Sequence, residues 1–460
     1  MYIIDPNLKT PLYLQLYNEL KKDIINNLKP NDKLPSIRKI ASTYNLSKNT
    51  VQNAYSQLYA EGYIDSYEKS GYFVLDLNDE KFITTNNIQP QKENHTCISY
   101  KYDFYPVGLS EKSFPLKLWK RLTSKAIDES LVFGKYSNGQ GEIELREQIS
   151  KYLIESRGVK CTASNIIISN GFSEAMSLVA KIMKEKYTTL AIEDPGYHIA
   201  KKIFKSFEYK INSINITSSG IDIKQIKKLK SKILYITPSH QYPTGVTIPI
   251  TNRLELLKWA KNTNSIIIED DYDSELSYIN RPIPALQGLD NHDNVIYFGT
   301  FSKALSPTLR VSYMVVPDFF MQLYKQTFDC NFAKVSLITQ KTLTLFLKDG
   351  HYEKHLRKLR TQNRKKHNLL KNYLHKYLKE SFKIESYGAG LSILINPTVP
   401  FDMKKFKNLA EQNSIKLYFA HSITDGKWEA IRLGFGRFNQ EKLEEAIKLL
   451  SNIWFESCIN

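Results

Sequence analysis

The chain has 460 residues, of which 42% are hydrophobic and 24% are charged, a composition typical of a globular protein with two or three domains. No apolar run is long enough to cross a bilayer, and the first ten residues lack the pattern of a signal peptide, so we expect a cytoplasmic protein without membrane contacts. The 4 cysteines form no CxxC pair, which argues against a disulfide framework and a zinc site.

The net charge of +17 is of the sign that favours nucleic-acid binding, but its distribution weakens that argument. Residues 1–75 carry nine Lys or Arg and seven Asp or Glu, a net of +2, which leaves +15 for the remainder. The excess charge therefore does not mark a DNA-binding segment.

The first 75 residues have the pattern of helices followed by a hairpin. Apolar side chains recur at helical spacing, Ser47 is in place to cap a helix, and Gly62 to end it. The predicted elements are helices over 11–28, from Pro35 to a break at 44–46, and from Ser47 to Gly62, then strands over 63–66 and 72–75. This order predicts an α+β winged helix-turn-helix domain.

In such a domain the second helix of the motif enters the major groove with its N-terminal residues, and the wing contacts the backbone or the minor groove. The candidate DNA-binding residues are Ser36, Arg38, Ser47, Lys48, Asn49, Thr50, Gln52, Lys69 and Gly71. The patterns LPSxRxxA and SxNTVxxAYxxLxxEG, with the hairpin that follows, resemble the GntR-type DNA-binding domain over residues 10–75. Lys48 stands where that family usually has arginine, so a point charge replaces a bidentate fork.

Residues 76–100 are polar and contain Pro90, which predicts an interdomain linker. Its roughly 25 residues reach about 80 Å when fully extended, so the DNA-binding domain is free to lie against a partner subunit.

From residue 101 onward, apolar strand patterns alternate with helical ones, which predicts an α/β domain with a mostly parallel sheet. We place this domain at 101–460, with a large subdomain at about 130–330 and a small one at about 331–460. The predicted strands are 166–168, 190–192, 233–236, 266–268, 295–298 and 311–316. Ligands of such sheets bind at the carboxyl ends of the strands, so the residues that follow each strand are the candidates for a site.

Residues whose side chains or N–H groups suit ligand binding follow five of these strands. Gly171 opens a helix whose first N–H groups, at Phe172 and Ser173, suit a phosphate. Tyr197 suits stacking on a flat cofactor, and Asp270 suits pairing with a pyridinium nitrogen. Each feature alone also fits ordinary turn chemistry, core packing or a solvated carboxylate.

Lys303 follows the fifth strand in a hydroxyl-rich turn between two apolar runs. Burial disfavours the ammonium form of lysine, and an amine of lowered pKa suits a Schiff base with an aldehyde. Thr300, Ser302 and Arg310 are close enough in sequence to hold a phosphate.

Together these strand ends resemble the fold type I aminotransferases, and the resemblance implies pyridoxal 5'-phosphate bound to Lys303. It also implies that Tyr272 contacts the phenolic oxygen of the cofactor and that Arg432 binds a substrate or effector carboxylate. Tyr136 lies in a segment similar to one that enters the neighbouring subunit's site, which implies a homodimer. Tyr242 stands where many of these enzymes have an asparagine.

A GntR-type domain joined to an aminotransferase-like domain resembles the MocR group of transcriptional regulators. The resemblance implies a regulator that binds double-stranded DNA and senses an amine, an amino acid or pyridoxal phosphate itself. Neither His198 nor Ile199 supplies an arginine beside Tyr197, which favours a neutral amino acid or the cofactor as signal. Two alternatives stay open: a working aminotransferase with an appended DNA-binding domain, and a repressor whose large domain only dimerises.

Overall fold

A computed structural model of the chain describes residues 2–67, 70–76, 99–130, 136–278, 283–328, 334–386, 388–422 and 428–459. The chain divides into two compact units, residues 1–96 and residues 97–460. Lys69 and residues 77–98 of the predicted linker lie outside the described residues. No helix in the described ranges combines the length and apolar character needed to span a membrane.

The described residues of the N-terminal unit form three helices and a two-stranded antiparallel hairpin. They are α1 (Leu12–Asn26), α2 (Ile37–Thr43), α3 (Lys48–Ala60), β1 (Ile64–Tyr67) and β2 (Gly71–Val74). Leu16 and Leu20 of α1 pack with Val51, Tyr55 and Leu58 of α3 in a common buried core. The helix predicted from Pro35 begins two residues later, because the Ser36 side chain accepts the Lys39 N–H as its cap.

The second unit contains two larger sheets and one two-stranded pairing. Its strands are β3 (Tyr102–Asp103), β4 (Ile166–Ser169), β5 (Thr189–Asp194), β6 (Lys210–Thr217), β7 (Gly220–Ile221), β8 (Ile233–Ile236), β9 (Ile266–Asp271), β10 (Val295–Thr300), β11 (Ser312–Val315), β12 (Phe382–Ser386), β13 (Ser392–Pro397), β14 (Ile415–Lys416), β15 (Tyr418–His421) and β16 (Glu429–Gly434). The eight-stranded sheet has the order β4-β11-β10-β9-β8-β5-β6-β7, and the four-stranded sheet has the order β12-β13-β16-β15.

Helices pack against these sheets and bury apolar faces. They are α4 (Leu116–Ser130), α5 (Ile143–Arg157), α6 (Gly171–Met183), α7 (His198–Ser206), α8 (Ile223–Lys228), α9 (Ile250–Thr263), α10 (Leu286–Leu289), α11 (Asp318–Phe328), α12 (Leu337–Lys348), α13 (His351–Leu378), α14 (Met403–Gln412) and α15 (Gln440–Glu456). Separate apolar clusters line the eight-stranded sheet, and a further one lies under the four-stranded sheet with α13 and α15. Strands β4, β8, β9, β10 and β11 of the large sheet are buried along their whole length, which explains their continuous apolar runs, whereas β6 is largely half-buried or exposed.

The direction of the strands places the site. Strands β5, β6, β8, β9 and β10 are parallel, whereas β11 is antiparallel to both β10 and β4. Strand β4 consequently runs in the same direction as β10. The carboxyl ends of β4, β5, β8, β9 and β10 therefore lie at one edge of the sheet, where the sequence placed its candidate residues.

A buried ion pair joins this edge to α5. Arg157 Nε lies 2.7 Å from Asp271 Oδ2, and the two side chains are 3% and 1% exposed. The Tyr297 hydroxyl donates to the same carboxylate oxygen at 2.6 Å, and Arg157 Nη2 donates to Ser239 Oγ at 2.8 Å. The Arg157 guanidinium thus connects the end of β9 with the segment after β8, and its ion pair with Asp271 is buried.

We expect Arg157→Met to lower the free energy of unfolding by about 3–5 kcal/mol, because it leaves the Asp271 carboxylate buried without its cation. The matched control is Lys227→Met, which breaks an ion pair with Glu255 in which the two side chains are 56% and 53% exposed. That change should cost about 0–1 kcal/mol. Chemical denaturation of both variants measures the difference, and equal effects would contradict the prediction.

Candidate functional site

The strand ends enclose a cavity of about 180 Å³. We call it the cofactor cavity. It is lined by Val107, Phe172, Tyr197, Thr237, Tyr242, Asp270, Tyr272, Phe298, Thr300, Ser302, Lys303, Arg310 and Arg432. The fold thus brings together most of the cofactor and effector residues predicted from the sequence.

Lys303 follows β10 on the wall of this cavity, with its Nζ 6.0 Å from the centre of the Tyr272 ring. Burial, reinforced by the positive charge of Arg432, lowers the pKa of Lys303 to about 7, although Asp273 and Asp270 oppose the shift. A large fraction of the side chain is therefore a neutral amine near neutral pH, which is the form that attacks an aldehyde carbon.

Asp270 is the penultimate residue of β9, and its side chain is buried. One oxygen accepts a hydrogen bond from the Tyr235 hydroxyl, while Oδ1 is buried and has no hydrogen-bond partner among the described residues. Burial first, and then the charges of Asp271, Asp273 and Glu193, raise the pKa of Asp270 to about 8. An acceptor left in this state suits a cationic N–H donor, such as a protonated pyridine nitrogen, which would restore its negative charge.

Gly171 lies against Arg310, which lines the cofactor cavity. Gly171 begins α6 with φ +79°, and a Cβ atom at this position would lie 2.2 Å from Arg310 Nη2. The guanidinium therefore lies directly on a glycine at a helix N-terminus, where the N–H groups of Phe172 and Ser173 have no partner within the helix. A cation and free helix N–H groups together make an anion cradle of the kind a phosphate requires.

The two predicted hydroxyls of the cradle have different surroundings. Thr300 Oγ1 accepts hydrogen bonds from the Ser302 N–H at 3.1 Å and from Ser312 Oγ at 2.9 Å. Thr300 therefore holds the turn that carries Lys303. Ser302 lines the cavity and is the hydroxyl whose side chain is available there.

Aromatic rings form the walls of the cofactor cavity. The Tyr197 ring meets Phe172 edge to face at 5.0 Å and Tyr242 at 5.2 Å, and Phe172 packs in the same way on Phe298. Such packing fixes the ring of Tyr197 beside the cavity, in place for contact with a flat heterocycle.

Arg432 lies on β16 with part of its guanidinium already occupied. Its Nε donates to Ser392 Oγ at 3.0 Å, and its Nη1 donates to the Tyr242 hydroxyl at 2.9 Å. The described residues supply no carboxylate to this cation. Tyr242, which stands where many fold type I aminotransferases have an asparagine, thus bonds to the arginine that we predicted to bind a carboxylate.

Two residues that we did not single out from the sequence, His240 and Asp273, stand beside Tyr272. His240 Nδ1 lies 3.1 and 2.9 Å from the two Asp273 oxygens, and a carboxylate only accepts, so Nδ1 carries a hydrogen. Nδ1 then has no lone pair for the Tyr272 hydroxyl, 3.3 Å away. The Tyr272 proton remains available to an acceptor in the cofactor cavity, as the predicted contact with a phenolic oxygen requires.

A second cavity, of about 440 Å³, shares Tyr242 with the cofactor cavity and is basic. Lys201, Lys202 and Lys205 of α7 line it. The two residues after Tyr197 are not cationic, but these three lysines lie further along α7. The lack of an arginine beside Tyr197 does not by itself favour a neutral effector.

The remaining candidates are not among the residues that line the cofactor cavity. Tyr136 is 80% exposed and is not among the residues that line the cofactor cavity. In the N-terminal unit, the exposed DNA-binding candidates are Ser36, Arg38, Ser47, Lys48, Asn49, Gln52 and Gly71. Thr50 is half-buried and donates its N–H to Ser47 Oγ at 3.1 Å. Lys69 is not among the described residues.

Both parts of the chain match known protein families. Residues 106–450 match the model for aminotransferase class I and II, and residues 12–74 match the model for bacterial regulatory proteins of the gntR family. The HTH-type transcriptional regulator YdeL of Bacillus subtilis is 35% identical over 98% of each chain. The probable rhizopine catabolism regulatory protein MocR of Rhizobium meliloti is 30% identical over 98% of this chain and 95% of its own.

Among solved structures, the α-aminoadipate aminotransferase LysN of Thermus thermophilus, complexed with N-(5'-phosphopyridoxyl)-L-leucine, has a TM-score of 0.67 and 20% identity. The match covers 77% of this chain and 92% of LysN. The cofactor of this fold is pyridoxal 5'-phosphate. The orphaned Asp270 oxygen, the anion cradle at Gly171 and the neutral amine of Lys303 all fit it.

The lowered pKa of Lys303 makes a kinetic prediction. We expect the rate at which pyridoxal phosphate condenses with the cofactor-free protein to rise with pH and level off above about 7, because only the neutral amine reacts. An unperturbed lysine amine, with a pKa of about 10.4, should instead show a rate that is still rising at pH 9. Stopped-flow absorbance measures both, and a profile that follows the free amine would contradict burial as the cause.

Proposed function

The chain belongs to the MocR group of GntR-type transcriptional regulators, and from that membership we propose that its cofactor cavity is a receptor whose occupancy controls DNA binding. The protein is a helix-turn-helix regulator with an aminotransferase-like domain and pyridoxal phosphate as cofactor. The observation that carries the proposal is the pairing, in one cavity, of the neutral Lys303 amine with the Arg432 cation. These are the two groups needed to select an amine that also carries a carboxylate.

Pyridoxal phosphate supplies an aldehyde carbon that exchanges one amine for another. The chain's own residues set which amine enters. Gly171, Ser302 and Arg310 would hold the phosphate, Asp270 would pair with the pyridine nitrogen, and Lys303 would hold the aldehyde carbon at the position where a ligand amine competes with it. Arg432 selects a carboxylate, because a guanidinium and a carboxylate make charge-assisted paired hydrogen bonds. The effector is therefore an amino compound, with the cofactor itself as the other candidate signal.

Binding at Arg432 gives the site two arrangements. A ligand carboxylate replaces the Tyr242 hydroxyl as acceptor, so the β16 arginine and the turn after β8 exchange one contact for another. A ligand shifts the regulator between DNA-binding states only by the difference in its affinity for them. We propose that the difference in ligand affinity between the two states arises from this exchange of contacts at Arg432.

We further propose that the functional unit is a homodimer in the cytoplasm. The exposure of Tyr136 outside its own cofactor cavity is consistent with a place in the partner subunit's cavity. A linker at 76–100, between a DNA-binding domain at 1–75 and the remainder at 101–460, would let each DNA-binding domain reach the partner subunit. Two recognition helices would then bind two half-sites of double-stranded DNA.

One observation favours a second function. A lysine with a pKa near neutrality also suits the base that moves the α-proton in transamination. Conversion of bound cofactor to its amine form in a single turnover with amino acids would support a working aminotransferase.

The receptor proposal predicts that Lys303→Ala abolishes both the visible absorbance of bound cofactor and the change in DNA affinity on adding an amine. The reason is that the exchangeable amine is gone. Absorbance spectra and fluorescence-anisotropy titrations on operator DNA test this, with Lys227→Ala as a control for the loss of one positive charge. An effector response that survives in Lys303→Ala would remove the proposed role of this lysine.

The recognition helix gives a separate prediction. We expect Lys48→Ala to reduce the slope of log affinity against log salt concentration by about 1, because one phosphate contact is lost. Lys48→Arg should keep the slope, and both variants should keep the absorbance of bound cofactor. An unchanged slope in Lys48→Ala would show that this lysine does not contact phosphate.

A further inference from the structure

A small cavity adjoins the cofactor cavity and shares Tyr272, Lys303 and Arg432 with it. We call it the His240 pocket. Its free volume is about 10 Å³, which is room for about one water molecule or a group of that size. Its other lining residues are Pro106, His240, Pro243, Asp273, Leu276, Ala389, Gly390, Leu391, Ser392 and Leu394.

His240 leaves one polar atom of this pocket unsatisfied. The Nδ1 side of the His240 ring is held by the hydrogen bond to Asp273. The other ring nitrogen, Nε2, is buried and has no hydrogen-bond partner among the described residues. Buried polar atoms that lack a partner are rare and costly, about 1–3 kcal/mol each, unless a ligand or a water supplies the bond. The His240 pocket is therefore incomplete in the protein alone.

The backbone around the pocket is shaped to hold this pair. Gly390 has φ +71°, and a Cβ atom there would lie 2.9 Å from Asp273 Oδ2 and 3.6 Å from His240 Cε1. The Gly390 N–H donates to the Leu276 carbonyl at 3.0 Å, and the Tyr278 N–H donates to the Gly388 carbonyl at 2.9 Å. Two segments distant in sequence thus close the pocket at a glycine, with no room for a larger residue.

Chemistry and size restrict what can complete the pocket. Nε2 accepts a hydrogen bond if the ring is neutral and donates one if the ring is charged, and a hydroxyl group serves either state. A carboxylate or carboxamide exceeds the free volume, and an ammonium would meet the cation of Arg432. A methyl group would leave Nε2 unpaired. Among the groups that an amine ligand carries, a hydroxyl is therefore the one that fits, and the competing occupant is a water molecule, which would give equal affinities within the ligand pairs below.

We infer that the effector is an amine that carries a hydroxyl group close to its amino carbon, and that His240, oriented by Asp273, recognises that hydroxyl. This inference rests on the proposed receptor function. The reason is that Lys303 and Arg432 line both cavities. A ligand whose nitrogen takes the place of the Lys303 amine, and whose carboxylate binds Arg432, therefore has the atoms bonded to its amino carbon beside the His240 pocket.

Matched ligand pairs test the inference on the unmodified holoprotein. Serine and 2-aminobutyrate, in both stereochemical forms, and ethanolamine and propylamine differ only by a hydroxyl in place of a methyl. We expect the hydroxylated member of at least one pair to bind about tenfold more tightly, measured from the cofactor absorbance and from DNA affinity in parallel. Equal affinities within every pair would overturn the inference.

A variant then assigns the preference to its residue. His240→Phe keeps a ring and removes both nitrogens, so the tenfold ratio should fall to about one. The ratio within each pair is the readout, because the loss of the bond to Asp273 affects both members of a pair. His421→Phe, at a histidine whose side chain is 49% exposed, is the control and should keep the full ratio. A preference that persists in His240→Phe would overturn the assignment.

The outcomes separate the two proposals. Amines that change the absorbance without any hydroxyl preference would overturn the inference and leave the receptor function standing. A protein in which no amine changes the absorbance would overturn both.

Discussion

Removing a lysine amine from water is the constraint on which the site depends. Burial lowers the pKa of Lys303, and the nearby Arg432 adds to the effect, while Asp270 and Asp273 limit it. Any of these groups on a solvated surface would lose most of its influence, because water screens charges that a buried cavity does not. The parallel strands serve this constraint, since they bring side chains from distant parts of the chain to one edge where apolar clusters exclude water.

The same low-polarity surroundings explain why the site is selective. Burial raises the pKa of Asp270, one of whose oxygens lacks a partner among the described residues, and a cationic ring nitrogen bound there would restore its charge. The Arg310 guanidinium lies against a glycine at the start of α6, so a phosphate bound there would meet two sources of positive potential. The binding free energy would come from hydrogen bonds and charge pairs with groups that lack partners inside the protein, and not from nonspecific apolar contact.

Much of this organisation could be predicted from the sequence. Local signals placed Ser47 as a helix cap and placed Asp270 and Lys303 after apolar strands, because turn chemistry and strand patterns depend on neighbouring residues. The pairing of His240 with Asp273 could not be predicted in this way. Both residues follow predicted strands, but their contact depends on how those two strands are aligned and on the close packing of Gly390 against Asp273.

Other features were hidden for the same reason. The bond between Arg432 and Tyr242 joins residues that are far apart in the chain, and the internal use of the Thr300 hydroxyl depends on Ser312 in the antiparallel strand β11. The basic cavity beside α7 depends on which face of that helix turns towards Tyr242. Sequence patterns show which groups reach the edge of a sheet, whereas tertiary packing decides which of them remain free.

The hydrogen bond from Arg432 to the Tyr242 hydroxyl also bears on the concentrations at which the protein responds. Under the proposed function, an incoming carboxylate would compete with an internal group of the protein for the same donor, so part of its binding free energy would be spent on displacement. The apparent dissociation constant would rise accordingly, as it does whenever the competent state is only partly populated. A weaker apparent affinity would move the midpoint of the dose–response curve upward, so that the regulator would respond to surplus effector and not to background levels.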